Sequence, residues 1–157
     1  MIMKKILSLT LIMFAFALNL MAKGDEMPKY DITGAGSGTE GTILVKVYVY
    51  GKKVSDQDLK RAAVHGVVFR GCEGNASGAR QPAMASPNVE EENESFCKDF
   101  FACDGPCQNF ASIIAGSYDR VKTKKGYKQG VIIQVNKSAL RKELEKAGIT
   151  KSLSAGF

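Results

Sequence analysis

The chain has 157 residues, a length that fits one domain and leaves little room for two. Its formal charge of +6 is modest but uneven: Glu90 to Asp104 holds six acids against Lys98 alone, whereas Tyr118 to Phe157 holds ten bases and only Asp119, Glu143 and Glu145. Lysines scattered in this way read as a solvated face, and the export signal over residues 1–22 argues against a nucleic-acid partner.

Taken in chain order, Lys4 and Lys5 precede an apolar run, "ILSLTLIMFAFALNLM", that ends at Ala22 before the polar "KGDE". A basic start, a short interrupted apolar core and a small residue make a signal peptide over residues 1–22, too short for a membrane anchor. The mature chain is then expected outside the cytoplasm, in the periplasm or secreted, with no transmembrane segment; loss of Lys4 and Lys5 lowers its charge from +6 to +4. Residues 23–41 read as a flexible glycine-rich leader in which "YDIT" is a short strand, and residues 42–157 as a single domain.

The glycines of "GSGTEG", Gly36 to Gly41, have the G-x-G-x-x-G spacing of a dinucleotide loop. That chemistry needs a helix opening directly after the glycines, so that free N–H groups meet the phosphates. Here they run instead into "TILVKVYVY", the clearest strand of the chain, so no cofactor is expected and the glycines read as a flexible or bulged edge to that strand. Ile43, Val45, Val47 and Val49 share one face of the strand, and Leu44, Lys46, Tyr48 and Tyr50 the other.

Ser55 with Asp58 predicts a capping box, and Leu59, Ala62, Ala63, Gly66 and Val67 predict a helix over about residues 56–69 with a small-residue stripe and with Lys60 and Arg61 on its outer side. A loop-rich insertion occupies about residues 71–110: a glycine- and proline-rich loop over 71–87, then an acid-led helix with Phe96, Phe100 and Phe101 on one side, stopped at Gly105-Pro106. "ASIIAGSYDRVK" and "YKQGVIIQVN" read as strands joined by a turn at "TKKG", with Val131, Ile133 and Val135 on one face. "KSALRKELEKAG" is an amphipathic helix with Leu140, Leu144 and Ala147 inward and Gly148 at its C-terminus. The order predicts an α+β fold: a small mixed or antiparallel sheet of three to four strands with helices mainly on one face.

Four cysteines, Cys72, Cys97, Cys103 and Cys107, lie within the insertion. An even count in an exported chain suggests disulfides, with three possible pairings. Their spacing suits no known zinc site, so no metal is expected. "CDGPC" is one residue longer than a redox C-G-P-C and follows a helix rather than opening one, which leaves a redox pair at Cys103 and Cys107 as the alternative. His65 is the only histidine and sits near an apolar stripe with no nucleophile marked beside it, so no catalytic residue is assigned.

The phrases "YDITGAGSGTEGTILVKVYVYGKK", "KRAAVHGVVFRG", "GSYDRVK", "GVIIQVNKSALRKELEKAGI" and "SAGF" resemble, in that order, a family of small exported Bacteroidota proteins without an assigned activity. More loosely, the order of elements is similar to periplasmic adaptor modules of the lipoprotein-20 and flagellar-assembly type. The resemblance implies an envelope or secreted location and carries no catalytic residues, and the chain is expected to be a non-enzymatic binding or assembly module. Tyr48 and Tyr50 are the expected contacts for an envelope partner, and a small-ligand-binding periplasmic domain is a further alternative.

Overall fold

The computed structural model describes residues 26–151 apart from 75, 77 and 79. The expected signal peptide and the "SAGF" phrase lie outside the described residues. Five strands form one open antiparallel sheet: β1 (Tyr30–Ser37), β2 (Ile43–Tyr50), β3 (Ala111–Ile113), β4 (Asp119–Thr123) and β5 (Gly126–Val135). The order is β1-β2-β5-β3, with β4 also paired to β5. One edge of the ten-residue β5 takes all of β2, from Ile43 opposite Val135 to Tyr50 opposite Lys128. Its other edge is shared by β4 and β3. The α+β architecture is as expected; the sheet is wholly antiparallel and has more strands than predicted.

The extra strand arises because "ASIIAGSYDRVK" divides. Gly116 has φ of 76°, and Ser117 Oγ donates to the Ile114 carbonyl at 2.6 Å, so the chain turns between β3 and β4. Lys124 and Lys125 form the two-residue turn into β5, closed by the Thr123–Gly126 pair.

Alternation in β2 and β5 puts Val45, Val47, Val49, Val131, Ile133 and Val135 on one face, all essentially without exposure. Burying each side chain of this kind is worth roughly 1.5–3 kcal/mol. α1 (Asp56–His65) belongs to the same core, with Leu59, Ala62 and Ala63 wholly buried. It starts on the expected capping box, Asp58 N–H donating to Ser55 Oγ and Ser55 N–H to Asp58 Oδ2, each at 3.1 Å. The helix continues as a π turn, Gly66–Arg70. A Cβ at Gly66 would lie 2.7 Å from Ile32 Cδ1, so the small stripe is what allows the helix down onto β1.

Two expectations need correcting here. Arg61 is not on an outer face: it is 1 % exposed, with Nη2 3.3 Å from the Glu26 carbonyl and Nη1 3.6 Å from Asp58. The insertion folds back along α1, Gln108 Nε2 donating to the Gln57 carbonyl and Gln57 Nε2 to Asp104, so the helix has little free outer side. The single acidic helix is also two, α2 (Pro87–Glu92) and α3 (Glu94–Phe100). At the break Asn93 leaves helical geometry and its Nδ2 donates to the Val89 carbonyl at 2.9 Å, the local competition that asparagine offers a helix.

A 3-10 turn, Pro106–Phe110, leads into β3. α4 (Lys137–Lys146) buries Leu140 and Leu144, and it closes with Gly148 at φ 74°, Gly148 N–H on the Glu145 carbonyl and Ile149 N–H on the Leu144 carbonyl, the Schellman arrangement.

The residues expected to be a leader contain β1, whose outer edge is itself covered: Gly34 N–H donates to the Glu73 carbonyl. The register of β1 on β2 shifts between Gly34 and Gly36, a bulge, and Gly36 adopts φ of 134°. Only glycine takes that conformation at little cost. Gly36→Ala is therefore expected to lower unfolding stability by about 1–3 kcal/mol, read from chemical denaturation.

Candidate functional site

The face of the sheet turned away from the core carries a connected row of side chains. Asp31, Tyr48 and Gly130 lie in register across β1, β2 and β5, with Asp119 of β4 beyond. Tyr48 packs over Gly130, where any Cβ would strike its ring, so this glycine is the seat of the tyrosine. Tyr48 donates its hydroxyl to Asp119 Oδ2 at 2.8 Å, and Lys46 Nζ reaches the same oxygen at 2.8 Å. Burial alone would raise the Asp119 pKa, but the bonds from Lys46 and Tyr48 outweigh it and hold the carboxyl below its usual range. Tyr50 repeats the pattern, its hydroxyl on Asp31 Oδ2 at 2.6 Å and Lys128 Nζ 3.5 Å from that oxygen. Lys128 joins the two units, its ammonium 4.4 Å from the centre of the Tyr48 ring and 5.6 Å from that of Tyr50.

Tyr48 and Tyr50, singled out from sequence, thus stand together on one face, and not against the helices. Sequence reasoning missed Asp31 and Asp119, which fix their hydroxyls and raise the pKa of both phenols through those hydrogen bonds. The pairing register is the only signal for them, and it requires knowing which strands are neighbours.

A second polar cluster surrounds His65. Tyr30 OH lies 2.6 Å from Nδ1, and Glu90 Oε1 lies 2.8 Å from Nε2. The tautomer protonated on Nε2 satisfies both: Tyr30 donates to Nδ1 and Nε2–H donates to the carboxylate. Phe69 and Phe101 enclose the ring at 5.2 Å between centroids. Burial lowers the His65 pKa below its usual value, with Glu90 opposing and Arg70 and Arg61 assisting.

Beside this cluster is a cavity of about 380 Å³, which Cys97 also lines. That proximity of thiol, imidazole and carboxylate does not make a nucleophile. Both ring nitrogens are already committed, and burial, with Glu90 adding to it, pushes the Cys97 thiol up to about 11. Nothing local in the sequence marks the cluster, because Tyr30 and Glu90 lie 35 and 25 residues from His65.

The disulfides expected among Cys72, Cys97, Cys103 and Cys107 are not formed; all four are free thiols. The loop after Cys72 is closed instead by main chain, Cys72 and Gln81 exchanging hydrogen bonds at 2.8 and 2.9 Å. Burial pushes the Cys107 thiol up to about 11, and Cys103, in the turn after α3 and not at the start of a helix, has its Sγ 3.8 Å from Gln57 Oε1. Among the described residues no group of three or more His, Cys, Asp or Glu side chains is placed to hold a metal ion.

"GSGTEG" spans the bulged end of β1 and the loop into β2. Tertiary structure does bring a helix start to this loop, from α4, far along the chain. Two of its first N–H groups are taken, Ser138 N–H by the Gly41 carbonyl and Ala139 N–H by Asn136 Oδ1, each at 3.0 Å.

Two predictions follow from this chemistry. A depressed His65 pKa means that the unfolded state binds the proton more readily, so the stability contributed by neutral His65 is present above about pH 6.5 and is lost as pH falls below it. His65→Gln is expected to cost about 1–3 kcal/mol at pH 8 and to flatten that acid-side loss, checked by thermal melts of both proteins from pH 8 to 5. Iodoacetamide at pH 8 is expected to label half-exposed Cys103 well before buried Cys97 and Cys107, as read by peptide mass analysis. No family model, curated protein or solved structure matches this chain.

Proposed function

We propose that this chain is an exported, non-enzymatic module of the cell envelope that binds a protein partner across the face of its sheet turned away from the core. One observation carries the reading: Lys46, Tyr48, Tyr50 and Lys128 form a continuous row on that face, each already oriented by Asp31 or Asp119. Tyrosines offer a large contact area and a polar tip at little entropic cost, and side chains held before binding lose little freedom on it. The half-buried Leu44 and Ile132 flank the row with apolar surface.

The signal pattern of residues 1–22 and the likeness to small exported Bacteroidota proteins support the envelope location. Among the described residues no helix is long and apolar enough to cross a membrane. The redox alternative at Cys103 and Cys107 is disfavoured because Cys103, which would be the attacking thiol, follows α3 and does not open a helix.

The reading is tested by placing a photo-crosslinking residue in living cells at Val121, exposed on β4 in register with Lys128, and separately at Lys142, exposed on α4. A discrete adduct is expected from position 121 and not from 142, with its yield reduced about tenfold by Tyr48→Ala. Equal adducts from both positions, or none from 121, would overturn the assignment, as would recovery of the protein wholly in the cytoplasm.

A further inference from the structure

Where β1 begins, β2 ends and β4 turns into β5, a cleft of about 510 Å³ opens at the end of the sheet. Lys29, Lys52, Lys124 and Lys125 line it, together with Tyr50 and Tyr127. Main chain holds the three segments together: Tyr50 N–H donates to the Lys29 carbonyl and Gly51 N–H to the Tyr127 carbonyl, both at 3.0 Å.

The charge here differs in kind from that of the open face. On the face Lys46 and Lys128 are offset by Asp119 and Asp31. In the cleft none of the four lysines is ion-paired among the described residues. Aromatic rings position cations instead: Lys29 Nζ lies 5.3 Å from the centre of the Tyr50 ring, and the Arg120 guanidinium 4.3 Å from that of Tyr127. A ring orients a cation through its quadrupole without cancelling the charge, so the charge stays available to a ligand. The carboxylate bonded to a lining residue, Asp31 on the Tyr50 hydroxyl, is shared with Lys128. Like charges around one concavity repel one another, and a bound anion relieves that repulsion.

We propose that this cleft binds a phosphate ester, the phosphoryl group among Lys29, Lys52 and the Lys124–Lys125 turn and its organic carrier against Tyr50 and Tyr127. A doubly charged, compact group suits several lysines acting as point charges. The cleft is also of the size that takes a small organic molecule and is larger than a bare ion needs. Sugar phosphates and the phosphatidic acid headgroup, both phosphate monoesters, present this same chemistry. The proposal does not rest on the protein-binding role of the open face, with which the cleft shares only Tyr50.

The test is calorimetric titration of the full chain with inorganic phosphate, glucose 6-phosphate, and phosphatidic acid–phosphatidylcholine vesicles set against pure phosphatidylcholine. Saturable binding of glucose 6-phosphate or of the anionic vesicles is expected, weakened by salt, and reduced about tenfold or more by the double variant Lys52→Gln/Lys125→Gln. The control Lys142→Gln/Lys146→Gln removes the same charge from α4 and should change nothing, while thermal melts verify that both variants are folded. Preference for the sugar phosphate identifies a soluble ester, and preference for the vesicles a lipid headgroup. The proposal is overturned if neither ester binds saturably, if the control loses as much affinity, or if inorganic phosphate binds as tightly as the better ester, which would mean an adventitious ion only.

Discussion

The structure depends on one constraint, the one-sided burial of the β2–β5 pair. Both strands alternate strictly, and their register sets Val45 opposite Ile133 and Val47 opposite Val131 on the same face. A slip of one residue would send that whole face to water and bring Lys46, Tyr48 and Lys128 inward. α1 can cover the valines closely because its stripe is alanine and glycine. A helix that close to the sheet has its far side within reach of the insertion, which explains why Arg61 is buried.

The same constraint sorts the tyrosines by environment. Tyr30 begins on the core face of β1, where its hydroxyl finds His65 and burial raises its pKa. Tyr48 and Tyr50 sit on the other face, where their hydroxyls find carboxylates and their rings find ammonium groups. The first is part of a tie: Tyr30, His65 and Glu90 join β1, α1 and α2 through a chain of hydrogen bonds in an aromatic shell. The others make a surface, held in place yet still open to water. Chemistry that resembles a catalytic relay serves in the first place to satisfy a buried imidazole, since no proton donor or acceptor on it is left over for a substrate.

Glycine spacing illustrates how letters and space diverge. The motif at Gly36–Gly41 lacks the helix that would make it a phosphate loop in sequence, yet tertiary structure brings a helix start to it. Two of that helix's first N–H groups are taken, one by the loop's own carbonyl at Gly41 and one by the capping Asn136. The concavity that does combine unpaired positive charge with aromatic rings lies at the other end of β2, assembled from residues that no local motif connects.

Much of the fold was legible in the chain by itself. Strict alternation in "ILVKVYVY" and "GVIIQV", the Ser55–Asp58 cap, the small-residue helix and the glycine after α4 are signals whose physics acts within a few residues, so local sequence determines them. The break at Asn93 and the turn at Gly116 are local as well, each held by a side chain on a carbonyl three or four residues back, whereas the fate of Arg61 and of the cysteines depended on what folds against them. The candidate sites belong to that second kind. Asp31, Asp119 and Lys128 meet the two tyrosines only through strand pairing, and Lys29 meets Lys125 only because β1 and the β4–β5 turn end at the same edge. Charge and hydrogen bonding act between neighbours in space, so the sequence determined which side chains could take part and the tertiary structure decided which of them meet.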